Sequence, residues 1–261
     1  MKESLVSREQ IALNPFRSAQ ALRYSNYCAR KERRLVRLLD GRPASARTRF
    51  VHEALHAFID EPGYSCLGAK SILNRGGYRF GSYHALASPE ATTGLARDLC
   101  AFVAEMQPQS GTFCSFIAVF DDLGYCEESG FEAALWRQLN ALHELDRKVF
   151  PYAEGVSSDP ESPRFAFSFA RTPMFVVGLH PKSSRKARRF AWPALVFNPH
   201  PQFNALREGG QYDRFKAVIR ERELSSQGSL NPNLADFGAR SEARQYAGRA
   251  VEERWKCPFH R

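Results

Sequence analysis

Between residues 48 and 60 the apolar positions Phe50, Val51, Ala54, Leu55, Phe58 and Ile59 recur at helical spacing, which predicts an amphipathic helix with one core-facing stripe. The polar turn PGYSC then leads into a second, short helix beginning near Cys66. Asn74-Arg75-Gly76-Gly77 breaks it and precedes a predicted strand at 78–83. A helix is expected over 92–106, and the aromatic and β-branched run TFCSFIAVF, 112–120, reads as a strand. In 131–150, Leu135, Leu139, Leu142 and Leu145 keep helical spacing and form another core stripe.

The period then changes to two. RFAFSFA puts Phe165, Phe167 and Phe169 on one face. After the turn residues Arg171 to Pro173, MFVVGLH and then PALVFNPH supply two further strands of a meander. A helix returns over 203–222, and from Gln227 onward the chain is polar and irregular. Strands joined by short turns, with helices before and after, predict an α+β fold: a mainly antiparallel sheet flanked by helices in a single domain. That domain is expected over 48–261, with 1–47 as an N-terminal extension packing on or preceding it.

At 261 residues and 43% hydrophobic content the chain can bury a substantial core. It has no run of roughly 18 apolar residues and no apolar signal segment at its start, so no membrane partner and a cytoplasmic location are expected. Six cysteines (Cys28, Cys66, Cys100, Cys114, Cys126, Cys257) are scattered without a C-x-x-C pair, and in a reducing compartment they are expected to be thiols. The net charge of +9 is partly clustered, at Lys31, Arg33, Arg34 and Arg37 and more densely at Lys182, Arg185, Lys186, Arg188 and Arg189. Neither cluster interleaves aromatic residues as a single-strand binder would, so nucleic acid is not the expected partner.

His52-Glu53-Ala54-Leu55-His56 spells H-E-x-x-H, which on a helix could offer two imidazoles to zinc with Glu53 as base. The metzincin continuation fails, because Ile59 and Pro62 stand where Gly and His are needed. The next acidic residues after Glu61 are Glu90 and Asp98, neither in a second motif. The expected reading is a helix whose histidines flank the core stripe as surface residues.

Other candidate chemistry sits where apolar strands end. His180 and His200 each follow such a strand and each precede Pro, as turn histidines or as functional ones. Cys66 opens a helix, where free N–H groups and the helix dipole stabilise a thiolate. It is a candidate nucleophile or soft metal ligand, or else a packed thiol. Cys257, in WKCPF, carries a weak Cys-Pro signal.

Three segments together resemble the YqcI/YcgG family: YSCLGAKSILNRGGYRFGSY, VVGLHPKSSRKARRFAWPALVFNPHPQFNALR and NPNLADFGARSEARQYAGRAVEERWKCPF. That family includes haem-dependent N-hydroxylases of guanidine-bearing metabolites, acting on arginine in D-cycloserine biosynthesis and in guanitoxin biosynthesis. The resemblance implies a haem b enzyme using dioxygen or peroxide on a small cationic substrate, with an electron-donor reductase as a possible partner. It leaves the iron ligand open among Cys66, His180, His200 and Cys257, since axial-ligand identity sets reactivity. Arg185, Arg188 and Arg189 would suit haem propionates, and Asp236 and Glu242 a guanidinium. A haem-binding protein without turnover is the alternative, with the zinc peptidase a distant third.

Overall fold

A computed structural model describes residues 13–32, 34–105, 113–121 and 127–260. Arg33 and Cys126 lie outside the described residues, as do the limits at 106 and 112 that the sequence pattern sets for a helix and a strand. In chain order the elements are α1 (Ala19–Tyr24), β1 (Cys28–Lys31), β2 (Arg34–Arg37), α2 (Ala46–Asp60), α3 (Leu67–Arg75), β3 (Tyr78–Tyr83), α4 (Pro89–Glu105), β4 (Ser115–Phe120) and α5 (Glu128–Asp146). After a long connection come β5 (Phe167–Phe169), β6 (Thr172–Leu179), β7 (Ala194–Pro199), α6 (His200–Glu208), α7 (Tyr212–Gln227) and the short α8 (Ala243–Tyr246).

The strands form one sheet in the order β2-β1-β3-β4-β7-β6-β5. Every neighbouring pair is antiparallel except β3 and β4, which α4 connects as a crossover. The fold is therefore α+β, as the alternation of elements predicts. Residues 28–37, assigned by pattern to an N-terminal extension, supply two strands of this same sheet. CARK and RLVR are too short and too charged for a period of two to show.

Both sheet faces are covered, and alternate residues of each strand divide between them. Phe116, Ala118 and Phe120 of β4, Met174 and Val176 of β6, and Leu195 and Phe197 of β7 pack beneath α4 and α5. Ile117, Val119, Leu179 and Ala194 face the opposite way, toward α2 and α3. Burial on both sides explains why β4 reads as a continuous apolar run rather than an alternating one. Phe165, Phe167 and Phe169 are all fully buried on the α5 side, while Ser168 between them accepts the Ala153 N–H at 2.9 Å.

Local signals fix the elements around the site. Ser45 caps α2 by accepting the Thr48 N–H at 3.1 Å. Gly76, at φ +68°, ends α3, with the Gly76 and Gly77 N–H groups bonding Leu73 and Ile72 carbonyls. The helix expected over 203–222 is divided into α6 and α7 by a turn in which Gly210 takes φ +66°. The tail read as irregular is partly core: Tyr246 and Phe259 are buried, and the Tyr246 hydroxyl accepts the Phe167 N–H at 3.0 Å. Among the described residues, no helix is long and apolar enough to cross a membrane.

The stripe of α2 needs correcting. Its buried residues are Thr48, Val51, His52, Leu55 and Ile59, whereas Phe50 is 58% exposed and meets Trp192 edge-on. The inward face is rotated toward His52, because positions 48, 52, 55 and 59 share one side of the helix.

Candidate functional site

On the α2/α3 face of the sheet lies a mostly apolar cavity of about 310 Å³. Leu55 and Ile59 of α2, Ala69 and Ile72 of α3, and Val177 and Val196 of the sheet form its walls, and Phe215 and Ile219 of α7 cover it. Cys66 reaches it from the N-cap of α3. Burial pushes its thiol above the ordinary range, while N–H groups of Ala69 and Gly68 and the charge of Arg188 pull the other way. The sulfur is thus a neutral thiol held at three groups that favour a thiolate once a cation arrives. Gly68 keeps space before it: a Cβ there would stand 3.2 Å from Phe215 Cζ and 3.8 Å from Cys66 Sγ.

Arg188 is the cavity's cation. Its Nη1 donates to the Tyr246 carbonyl at 2.9 Å, and no carboxylate among the described residues pairs with it. Burial lowers its pKa to about 10, against raising influences from Tyr64 and Glu223. Its stem crosses the space that Gly248, at φ +86°, leaves by lacking a side chain. Arg185 also lines the cavity, but is engaged: its Nη2 pairs with Glu223 and with the Ser229 carbonyl, and Nη1 donates to Ser229 Oγ at 3.1 Å. It latches the loop after β6 to the end of α7. Gln202 adds an unused donor, since its Oε1 accepts the Cys114 N–H at 2.8 Å while its buried Nε2 has no partner among the described residues.

A second cavity of about 250 Å³ adjoins the first. The two share Phe175, Phe203, Phe215, Ile219, Glu223, Leu234 and Gln245 as walls, so α7 stands between them. His200, Asp236 and Glu242 line this second space. Glu242, 4% exposed, accepts the Tyr246 hydroxyl at 2.6 Å on Oε1, and His200 Nε2 lies 3.1 Å from the same oxygen. Its Oε2 has no hydrogen-bond partner among the described residues. Asp236 is half-exposed and already paired with Lys216 at 3.0 Å.

The structure therefore brings Cys66, Arg185 and Arg188 together, with His200, Asp236 and Glu242 next door. It separates the others. Arg189 is exposed and donates from Nε to the Ser183 carbonyl at 2.9 Å. His180 faces the opposite side of the sheet, its ring stacked on Phe131 at 4.4 Å, with both nitrogens buried and unpartnered among the described residues. Cys257 packs against the aromatic cluster of that side, where burial raises its thiol to about 12. Glu223 and the aromatic lining of α7 were missed by sequence reasoning, because α7 buries none of its residues fully and reads as a solvent-facing helix.

The expected surface flank of H-E-x-x-H is overturned for His52, which is 7% exposed. Its Nε2 and that of His56 lie 2.7 and 2.8 Å from one atom, the Tyr78 hydroxyl. Among the described residues, no cluster of three or more His, Cys, Asp or Glu is placed to hold a metal ion.

Buried imidazoles give a pH prediction. Burial lowers His52 to about 3 and His180 to about 4. The unfolded chain takes up protons near pH 6.5 and the folded one does not, so each histidine's stabilising effect is present above 6.5 and lost as pH falls toward its folded value. Each should cost about 1 kcal/mol between pH 6.5 and 5.5, because the unfolded imidazole is already half protonated at 6.5. Asp146, raised by burial to about 6, works in the opposite sense. The comparison is therefore between wild type and His180→Phe in urea unfolding: the variant should lose about 1 kcal/mol less over that interval. Equal losses would mean that His180 is not buried neutral.

Residues 55–260 match the family model described as the YqcI/YcgG family. The chain belongs to the YqcI/YcgG family. No curated protein and no solved structure gives a significant match. The YqcI/YcgG match contains both adjoining cavities' functional side chains, from Cys66 to Glu242, and leaves His52 outside.

Proposed function

We propose that this YqcI/YcgG protein is a haem-dependent enzyme that N-hydroxylates a small guanidine- or amine-bearing molecule. The observation that carries this reading is the pairing, in one apolar cavity, of the Cys66 sulfur with the unpaired Arg188 cation. The residues fit haem b: a soft donor backed by N–H groups, an apolar sheet face, and a half-buried guanidinium with no carboxylate partner among the described residues, open to an anion such as a propionate. When bound, haem would supply activation of dioxygen or peroxide, which an electron-rich thiolate ligand favours.

The chain's own residues do the rest. Cys66, as a thiolate, would be the residue that holds the iron. Gly68 leaves room beside the sulfur, and Phe215 and Ile219 exclude water. Across α7, the free Oε2 of Glu242 accepts from the cationic substrate, while Tyr246 and His200 hold the other oxygen and fix the carboxylate's direction. Asp236 stands at the edge of the second cavity and would have to exchange Lys216 for substrate. A reductase is required if dioxygen rather than peroxide is the oxidant.

The test is direct. Protein from haem-sufficient cells should carry haem, with a thiolate-type spectrum on reduction under carbon monoxide, and should form an N-hydroxy product from a guanidine substrate with oxidant and electrons. Haem without product would leave only a binding protein, and purification without haem affinity would end the proposal.

The arginines separate further. Arg188→Gln should lower haem retained per chain at least about tenfold, the value of a lost charge-assisted bond in a half-buried site. Arg189→Gln, at the surface, should leave it unchanged. Equal haem content in both variants would remove Arg188 from the propionate role.

A further inference from the structure

A separate cleft of about 540 Å³ lies on an adjoining flank of α2, against β1 and β2, lined by Arg30, Arg34, Arg49, His52, Glu53 and His56. We propose that it is a binding site for a small organic oxyanion, a phosphate ester or a polycarboxylate. Three guanidiniums converge there from three elements, β1, β2 and α2, against one carboxylate among the described lining residues, that of Glu53. None of the three has an ion-pair partner among the described residues, although nearby Arg37 pairs with Asp40 and Arg47 with Asp121, both at 3.3 Å. Guanidinium forks match carboxylate and phosphate oxygens in pairs.

The cleft is backed by a defined polar set. A hydroxyl that bonds two imidazoles donates to one and accepts from the other, so one of His52 and His56 carries its proton on Nδ1. Neither Nδ1 has a partner among the described residues. Leu35 and Pro43 complete the lining, and the volume exceeds what a bare inorganic ion fills, which together call for an organic body carrying the anion. The site is distinct from the Cys66 cavity, which touches α2 through Leu55 and Ile59 instead. Arg30, Arg34, Arg49 and His52 also precede the segment matched by the family model.

The test uses the full chain at physiological ionic strength, titrated calorimetrically with inorganic phosphate, glucose 6-phosphate and citrate, while imidazole resonances are followed by NMR. One organic anion should bind saturably and shift His52 and His56 but not His143. Tighter glucose 6-phosphate assigns a phosphate ester, and tighter citrate a polycarboxylate. Arg30→Gln with Arg34→Gln should weaken that binding at least about tenfold, with melting temperature and haem content unchanged. Unshifted His52 and His56 with both organic anions, or undiminished binding by the double variant, would overturn the site. Saturation by polyglutamate alone would overturn it in favour of an acidic protein partner.

Discussion

Cys66→Ser should keep its fold, lose the thiolate signature of the reduced carbon-monoxide spectrum, and drop N-hydroxylation to background. The substitution is nearly isosteric, and a hydroxyl can still accept the N–H groups of Gly68 and Ala69, so the stability cost should stay near about 1 kcal/mol. What changes is the donor. A serine oxygen is a hard, weakly donating ligand, and axial-ligand identity governs whether O–O cleavage is favoured. Cys66→His would retain haem but supply imidazole, with less electron density for the iron. His200→Ala would act differently: it removes a neighbour of Glu242 Oε1 in the second cavity, so the spectrum should persist while KM for the cationic substrate rises. Unchanged spectrum and turnover in Cys66→Ser would return this residue to the role of a packed thiol at a helix start, and would move the search for a ligand to His200.

How far the site was legible depends on distance along the chain. Cys66 could be singled out because a helix start is a local signal, and Arg188 because it sits in a dense basic run. What made Arg188 differ from Arg189, one position later, was invisible: Gly248, some sixty residues away, opens the space that Arg188 crosses. His180 and His200 looked equivalent, each a histidine before proline after an apolar strand. The pleat and the following backbone send one against Phe131 and the other beside Glu242. Pattern reading found the central strands and the long helices, whose periodicity reports burial directly. It missed β1 and β2, since four-residue strands with charged tips carry no period. For α2 it found the helix but not its rotation, because a histidine bonded to a distant tyrosine counts as polar in any pattern.

The same limit hid the residue whose loss should cost the most stability. Asp98 entered the sequence reading only as an unsupported third ligand for zinc. In the fold it is fully buried on α4 and each oxygen accepts twice. Oδ1 takes Ser25 Oγ at 2.6 Å and Arg97 Nη1 at 2.8 Å, and Oδ2 takes the Asn26 N–H and the Tyr83 hydroxyl, both at 2.8 Å. Arg97 is itself 1% exposed. Asp98→Ala would strand that guanidinium without its carboxylate and leave three further donors unpaired, so a loss of about 3–5 kcal/mol is expected in urea unfolding at neutral pH. Asp98→Asn should also destabilise, because its amide would turn donors toward donors. Arg97→Met combined with Asp98→Ala should cost less than the two single changes added together, since the pair fails as a unit. A loss below about 1 kcal/mol for Asp98→Ala would mean that Arg97 finds water or another anion. The expected loss follows from position: Ser25 and Asn26 lead into β1, Tyr83 ends β3, and Asn26 Nδ2 further donates to Ser82 O at 2.8 Å and Thr48 Oγ1 at 3.0 Å. One carboxylate therefore joins the N-terminal strands, the crossover helix and the start of α2, the helix whose later turns wall the Cys66 cavity.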